Sequence, residues 1–398
     1  MAILLFDPQQ ARGFLSGSKS GTAPSGPVPD WPRLVEKARR EGVAAVLFHN
    51  ITRQRLEDLV LRPQVTALSG EYHANLKRNL SIIGGLRPVL AAFEQAGIPC
   101  IILKGIALAE RVYPNIALRG MSDVDILVRK EDLFRVDDHL SSLGYAPQDS
   151  TAAKAIHNPA GYLASLDYRG SHPSSLALHV HWHPVNTSVP ATLFAGQVDL
   201  DRLWERAVMT DLADSRVLTL CPEHLIIYLC EHALRVGHSF DRLILVCDIF
   251  YAVKAFEKAI DWDFMVAESR RFNLSRFVYH GLLIVKHHTS QGIPDACIAK
   301  LRPSDFTRGE RYFLKLQFNN RRIRGSSYFI YLAMHRSLGG KIRFVARTLF
   351  PPAQILLQRQ YRKDPEFSNS LYLLRIREVF SQLWSVLARG RGNTPENS

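Results

Sequence analysis

The chain has 398 residues, 46% of them hydrophobic and 22% charged, which is enough for two or three globular domains. No stretch approaches the roughly 18–20 apolar residues that span a membrane, and the apolar start of the chain lacks the basic flank of a secretory signal. The five cysteines show no CxxC spacing, which argues against a zinc ribbon or a disulfide framework, so we expect reduced thiols and a cytoplasmic protein.

Positive charge is concentrated at the end of the chain. The net charge is +13, and residues 301–398 contain 18 Lys and Arg residues against 6 Asp and Glu residues. Aromatic side chains are interleaved with the basic ones. This asymmetry favours an anionic partner, either nucleic acid or a membrane surface, and a basic helical cap without a partner is the plain alternative.

Two regions precede the first predicted strand. Residues 12–30 are rich in Gly, Ser and Pro, so we predict a flexible leader over residues 1–30. Asp30, followed by Trp31 and Pro32, has the features of a helix start, with Asp30 as its N-cap. Apolar residues then recur at helical spacing, so we predict a helical N-terminal layer over residues 31–95.

Residues 98–130, with the sequence IPCIILKGIALAERVYPNIALRGMSDVDILVRK, hold the most informative pattern in the chain. Ile98–Leu103 predicts a buried strand, which Lys104 and Gly105 end. A short helix follows and stops before Pro114, because proline disfavours a helical residue in front of it. Met121–Val128 predicts a second strand.

Two carboxylates lie in this second strand. Side chains alternate between the faces of a strand, so Asp123 and Asp125 point the same way while Val124 and Ile126 point to the other, apolar side. Paired carboxylates repel each other unless a cation lies between them. Oxygen ligands of this kind suit Mg²⁺, which also takes substrate phosphates as ligands.

The rest of the chain is predicted to contain further helices and strands. Lys130–Leu143 predicts an amphipathic helix, and Gly161–Tyr168 and Leu176–Trp182 predict strands. From residue 200 helical periodicity returns and includes Val208 in the first helix. We therefore predict a core over residues 96–190, a helical domain over 191–300 and a basic helical region over 301–398.

The ordered motifs LKG, YP, LRG and SDVDILV resemble the bacterial uncharacterised nucleotidyltransferase family of the polymerase-β-like nucleotidyltransferase superfamily. The family pattern is roughly LKGxAL, YP and LRxxxDxDLLV, and the resemblance extends over about residues 31–300. The matching positions are Leu103, Lys104, Gly105, Ala107, Leu108, Tyr113, Pro114, Leu118, Arg119, Asp123, Asp125, Leu127 and Val128. The family's PxxxLLxLxxH and LxxLxDI helices match the segments that end with His232 and contain Asp248.

The resemblance implies an α+β fold, in which a small mixed-sheet core is flanked by helical N-terminal and C-terminal regions. It implies transfer of an NMP from a nucleoside triphosphate to an unidentified acceptor, with Mg²⁺ or Mn²⁺ held by the catalytic residues Asp123 and Asp125.

The resemblance also implies nucleotide contacts around these carboxylates. Gly105 lets the backbone approach the triphosphate, and Lys104 neutralises its outer oxygens, with a surface lysine in a capping turn as the alternative. Arg119 either binds phosphate or pairs with Asp123. Ser122 either donates to a phosphate or caps a turn, and the turn is the preferred interpretation.

The third acidic position of the superfamily is occupied by His179. Imidazole is a poor Mg²⁺ ligand, so His179 acts as a general base, serves Mn²⁺, or leaves the site inactive. Asp167 on the neighbouring predicted strand is a possible substitute carboxylate. The alternative function is therefore a catalytically inactive nucleotide- or nucleic-acid-binding protein on the same fold.

Other histidines permit further interpretations. His179, His181 and His183 share one predicted strand face and would together suit Zn²⁺ in a metallohydrolase; lining of a polar cleft is the preferred interpretation. His232 and Asp248 lie inside predicted helices. A satisfied core histidine and a hydrogen bond between helices are preferred for these two over a role in binding a base.

Overall fold

Within the described residues, seven strands form one mixed sheet with the order β3-β4-β5-β2-β1-β7-β6. The strands are β1 Cys100–Ile102, β2 Val124–Val128, β3 Tyr145–Pro147, β4 Ser165–Gly170, β5 Ala177–His181, β6 Val208–Leu212 and β7 Ser215–Thr219. Strand β2 runs parallel to β5 and β1 runs parallel to β7, whereas the other neighbours are antiparallel. The expected mixed sheet is thus confirmed.

The computed structural model describes residues 30–148, 164–171, 176–185, 198–235, 238–289, 292–323, 325–351, 356 and 370–391. The predicted leader lies outside these residues except for Asp30, which caps the first helix as expected by accepting a hydrogen bond from the Arg33 amide. None of the described helices combines the length and the apolar character needed to cross a membrane.

Along the chain, helices precede, separate and follow the strands of the sheet. The α-helices of the described residues are α1 Trp31–Arg40, α2 Ala44–Arg53, α3 Arg62–Gln95, α4 Ile106–Arg111, α5 Leu133–Ser142, α6 Leu200–Glu205, α7 Pro222–Leu234, α8 Leu243–Ala255, α9 Trp262–Arg271, α10 Ser275–His288, α11 Asp295–Leu301, α12 Arg308–Phe318, α13 Tyr328–Met334, α14 Leu338–Leu349 and α15 Ser370–Arg391. Short 3₁₀ turns cover Glu57–Leu59, Ile116–Leu118 and Lys130–Asp132. The α+β class with flanking helical regions is confirmed.

Each face of the sheet packs into its own hydrophobic cluster. One cluster joins Val124, Ile126 and Val128 of β2 to the second half of α3 and to α5. The other joins Ile101 and Leu127 to helices α7 and α8. Because side chains alternate along β2, Asp125 shares the face of Leu127 and therefore faces α7 and α8. We call helices α6 to α13 the helical block.

The prediction of helix at Val208 is wrong. Helix α6 ends at Glu205, and the following residues form the hairpin β6–β7, which extends the sheet beside β1. Its two loop residues, Ala213 and Asp214, have φ values of 53° and 59°, as a type I′ turn requires. Ala-Asp is not the Asn-Gly pair that signals such a turn, so this hairpin lacks the usual sequence signal. The division into domains stays a prediction.

Helix α7 is fixed to its neighbours by a buried carboxylate. Glu268 of α9 accepts hydrogen bonds from Arg202 Nε at 2.8 and 2.7 Å and from His224 Nε2 of α7 at 3.0 Å. Burial raises the pKa of Glu268, but the hydrogen bonds from Arg202 and His224 outweigh it and hold this pKa below its usual range. The ionised carboxylate therefore joins α6, α7 and α9.

We predict that Glu268→Gln lowers the free energy of unfolding by about 2 kcal/mol near pH 7, because charge-assisted hydrogen bonds are lost. A carboxylate with a depressed folded-state pKa stabilises above its unfolded pKa of about 4.3, and this contribution disappears as the pH falls through the folded value. Urea unfolding from pH 7 to pH 3 should show the gap between wild type and variant narrowing below pH ~4. A gap that is constant with pH would contradict an ionised Glu268.

Candidate functional site

Strand pairing brings the predicted site residues together. In the parallel pair β2–β5, Asp125 is opposite His179 and Leu127 is opposite His181. In the antiparallel pair β4–β5, Asp167 is opposite His179. The centre of the sheet therefore presents one aspartate and two histidines on the face that looks towards α7.

Asp125 is the focus of this group. Its side chain is 2% exposed, and its Oδ2 lies 3.2 Å from Lys104 Nζ. Its Oδ1 lies 3.0 Å from His181 Nε2 and 3.3 Å from His179 Nδ1. On the other side of its ring, His179 Nε2 lies 2.8 Å from Ser165 Oγ and 3.4 Å from Asp167 Oδ1.

These neighbours set the protonation states. Burial raises the pKa of Asp125, but Lys104 and the hydrogen bonds from His179 and His181 outweigh it, so this pKa lies well below its usual range. Burial and the neighbouring His179 lower the pKa of His181 to about 3. At neutral pH the group thus contains an anionic carboxylate and a neutral imidazole, the forms in which these side chains bind cations.

The turn between β1 and α4 positions Lys104 beside Asp125. The backbone of Gly105 has φ +63°, a conformation that residues with side chains seldom adopt. A Cβ at this position would meet only ordinary contacts, the nearest at 3.5 Å to the Asp123 carbonyl oxygen. Backbone conformation, and not lack of space, therefore explains the glycine after Lys104.

Arg119 has a partner that neither interpretation of the sequence anticipated. Its Nε and Nη2 donate to Asp248 at 3.1 and 2.9 Å, and Tyr113 Oη donates to the same carboxylate at 2.7 Å. Asn79 of α3 also donates to the Arg119 carbonyl at 2.9 Å. The pairing of Arg119 with Asp123 is thus wrong. Asp248 is hydrogen-bonded inside the fold, but its partners lie in the segment between α4 and β2, so the predicted hydrogen bond between two helices is wrong as well.

Several other predicted residues lie at the edge of the group. Asp123 is half-buried before β2 begins and accepts a hydrogen bond from Ser122 Oγ at 3.0 Å. It does not belong to the cluster around Asp125. His183 lies beyond the end of β5, where its Nδ1 bonds to Val185, so the three-histidine zinc site is wrong.

Helix α7 covers the site with polar groups that the sequence did not reveal. Tyr228 Oη and His232 Nδ1 are buried, and neither has a hydrogen-bond partner in the described part of the chain. Burial raises the pKa of Tyr228, and Asp125 raises it further; burial and then Lys104 lower the pKa of His232. Both rings thus lie within electrostatic range of the site, and the prediction of a satisfied core histidine is wrong.

The donor atoms fit a divalent metal. One atom each of Asp125, His179 and His181 lies within 4.8 Å of the other two, the sole such group of three in the described residues. Two imidazoles and one carboxylate suit Mn²⁺, Zn²⁺ or Fe²⁺ better than Mg²⁺, which prefers an all-oxygen shell. A metal site is therefore chemically reasonable here, with a ligand set different from the predicted Asp123 and Asp125.

Comparison with known proteins identifies the family of the chain. A sequence model of the family described as "Uncharacterised nucleotidyltransferase" matches residues 27–290, about two-thirds of the chain. The chain belongs to this family, and the resemblance inferred from the sequence is confirmed. No curated protein and no solved structure matches the chain.

A pair of identical substitutions tests whether the hydroxyl over the site lacks a partner. Tyr228→Phe should raise the free energy of unfolding by about 1 kcal/mol, because it removes a buried polar group that makes no hydrogen bond. Tyr113→Phe is the matched control and should lower it by about 1–2 kcal/mol, because its hydroxyl is bonded to Asp248. Urea unfolding of both variants measures the difference; destabilisation by Tyr228→Phe would mean that this hydroxyl is satisfied in the unliganded protein.

Proposed function

We propose that the protein is a metal-dependent nucleotidyltransferase that moves an NMP from a nucleoside triphosphate to an acceptor. One observation carries the proposal: a buried, ionised Asp125 on the central strand, joined by Lys104, His179 and His181, in a chain of a nucleotidyltransferase family. Buried charge without a structural need for it is typical of functional sites.

The reaction forms a bond between the acceptor oxygen and the α-phosphorus and breaks the bond from this phosphorus to the bridging oxygen. Pyrophosphate leaves, and the acceptor loses a proton. Positioning and charge neutralisation dominate such transfers, and a divalent ion supplies neutralisation of the phosphoryl oxygens. Asp125, His179 and His181 would hold that ion, and Asp123, two residues before Asp125, would join them only after a movement of its side chain.

Lys104 has two tasks in this proposal. In the unliganded protein its ammonium group compensates the buried charge of Asp125 at 3.2 Å. With a triphosphate present, the same flexible cation can turn towards the phosphate oxygens, as the resemblance implies for nucleotide binding. The turn at Gly105 and the hydroxyl of Ser122 border the same edge of the sheet and are the backbone and side-chain donors that we assign to the nucleotide.

We assign the reacting groups to the face of the sheet that looks towards α7. Tyr228 and His232 bring a hydroxyl and a neutral imidazole to within electrostatic range of Asp125, and neither Tyr228 Oη nor His232 Nδ1 has a hydrogen-bond partner in the described residues. Arg119, in contrast, is engaged by Asp248 and is more suited to holding the loop before β2 than to binding phosphate. In this arrangement the acceptor would contact residues of the helical block.

The compartment and partner follow the same proposal. All five cysteines are free and buried, as suits the reducing cytoplasm. The excess of basic residues after residue 300 fits an anionic acceptor or scaffold, either nucleic acid or a membrane surface.

A second candidate is a nucleotide-binding protein without catalysis. It is favoured by His179 at the third acidic position and by Lys104, which satisfies Asp125 without any metal. Both candidates require nucleotide binding and differ in turnover.

The aspartates provide the first test. We expect Asp125→Asn to abolish Mn²⁺-supported transfer of label from an α-labelled NTP into cell-extract acceptors, because the metal and Lys104 lose their anionic partner. Asp123→Asn should do the same if Asp123 completes the metal shell, whereas Asp201→Asn, an exposed aspartate on α6, serves as control. Chelation by EDTA should abolish wild-type transfer reversibly. Full activity of Asp125→Asn, with circular dichroism unchanged, would refute the site.

The metal preference provides the second test. His179→Asp should shift support of transfer from Mn²⁺ towards Mg²⁺, because an oxygen ligand replaces an imidazole. His179→Ala should be weaker with either metal. If wild type is inert with every NTP and metal while His179→Asp transfers label, the natural protein is the binding protein of the second candidate. If wild type binds no NTP in calorimetry, both candidates fail.

A further inference from the structure

A basic pocket lies in the helical block, built from residues that take no part in the site around Asp125. Its volume is about 300 Å³, and it is formed by the α9–α10 connection, the segment after α11 and the end of α13. Among the described residues, five cationic side chains line it: Arg270, Arg276, Lys300, Arg302 and Arg336. The one acidic residue in the described part of the lining is Asp305.

Acidic partners neutralise two of these five cations. Arg276 pairs with Asp305 and, at 3.1 Å, with the buried Glu310, and Lys300 pairs with Asp263. Arg270 donates to the Lys300 carbonyl oxygen, which orients its guanidinium group but leaves its charge. Arg302 and Arg336 form no ion pair with any described residue. Three arginines thus surround one cavity without an acidic partner among the described residues.

The start of α10 adds to the positive potential. Its first two residues, Ser275 and Arg276, line the pocket. The N-cap residue Leu274 provides no side-chain acceptor, and the first turn contains no acidic residue. The positive end of this 14-residue helix therefore lies at the pocket wall without internal compensation. Helix start and arginines favour the same kind of ligand, an anion.

We propose that this pocket binds a small ligand through two or more phosphate groups, of the size of pyrophosphate or a triphosphate chain. Arginine forks match phosphate oxygens in a bidentate manner, and several arginines at one cavity favour a multiply charged ligand over a single carboxylate. A volume of about 300 Å³ is at the lower end of ligand pockets, which favours a small molecule over a polymer backbone. The proposal does not rest on transferase activity.

Calorimetric titration of the full chain with pyrophosphate and with tripolyphosphate tests the proposal. EDTA is present throughout, so that no metal-supported nucleotide site contributes. The double variant Arg302→Gln/Arg336→Gln should bind at least about tenfold more weakly than wild type, since two charge-assisted contacts are lost. The matched control Arg308→Gln/Arg343→Gln removes two exposed charges outside the pocket and should change affinity less than about twofold.

Three results would overturn the proposal. Wild type that binds neither pyrophosphate nor tripolyphosphate has no such pocket ligand. Equal weakening in both double variants would indicate a general charge effect. Loss of pyrophosphate binding in Asp125→Asn would assign the ligand to the site on the sheet, whereas unchanged binding in that variant supports the pocket.

A titration with nucleic acid tests the remaining alternative, in which the arginines form a nucleic-acid surface. A short single-stranded oligonucleotide without terminal phosphate is titrated under the same conditions. If the oligonucleotide binds, the pocket double variant weakens it, and pyrophosphate does not compete, the arginines belong to a nucleic-acid surface and the small-ligand proposal is wrong. Displacement of the oligonucleotide by pyrophosphate, or no binding of the oligonucleotide, supports it.

Discussion

The site depends on one buried negative charge at the centre of the sheet. Asp125 is almost inaccessible to solvent, and an isolated carboxylate in such a place would be protonated or would destabilise the fold. Lys104, His179 and His181 remove that cost, and each reaches Asp125 from a defined backbone position: a glycine turn after β1 and two alternate residues of β5. Register between β2 and β5 is therefore essential, because a shift by one residue would move the histidines to the opposite face.

The helical block supplies further side chains to the surroundings of the site. Its helix α8 supplies Asp248, which fixes Arg119 and Tyr113 and with them the loop that leads into β2. Its helix α7 lies over the polar face of the sheet. There Asp125 adds to the effect of burial in raising the pKa of Tyr228, and Lys104 adds to the effect of burial in lowering the pKa of His232. Buried ion pairs of the Arg119–Asp248 kind contribute little net stability but fix geometry, which is the property that a reactive site requires.

The donor atoms around Asp125 differ from the paired aspartates that the sequence predicted as metal ligands. Two imidazoles and one carboxylate form the compact group, while the second aspartate of the motif lies outside it. Such a set favours a metal that accepts both nitrogen and oxygen, and Mn²⁺ satisfies this condition together with binding to phosphates. Family membership is shown by the match over residues 27–290, and nucleotidyl transfer with a metal held by these donor atoms is the proposal built on it.

The sequence by itself determined the family, the α+β class, the helix start at Asp30, and the strands that carry Asp125, His179 and His181, because these depend on local periodicity and on an ordered motif. It failed at the β6–β7 hairpin, whose Ala-Asp turn lacks the usual residues, and at Arg119, whose partner Asp248 lies 129 residues away. The exclusion of Asp123 and His183 from the cluster, the cover of α7 and the basic pocket were decided by tertiary structure alone. Each depends on which side chains distant segments bring within a few ångströms, and neither hydrophobic periodicity nor motif spacing contains that information.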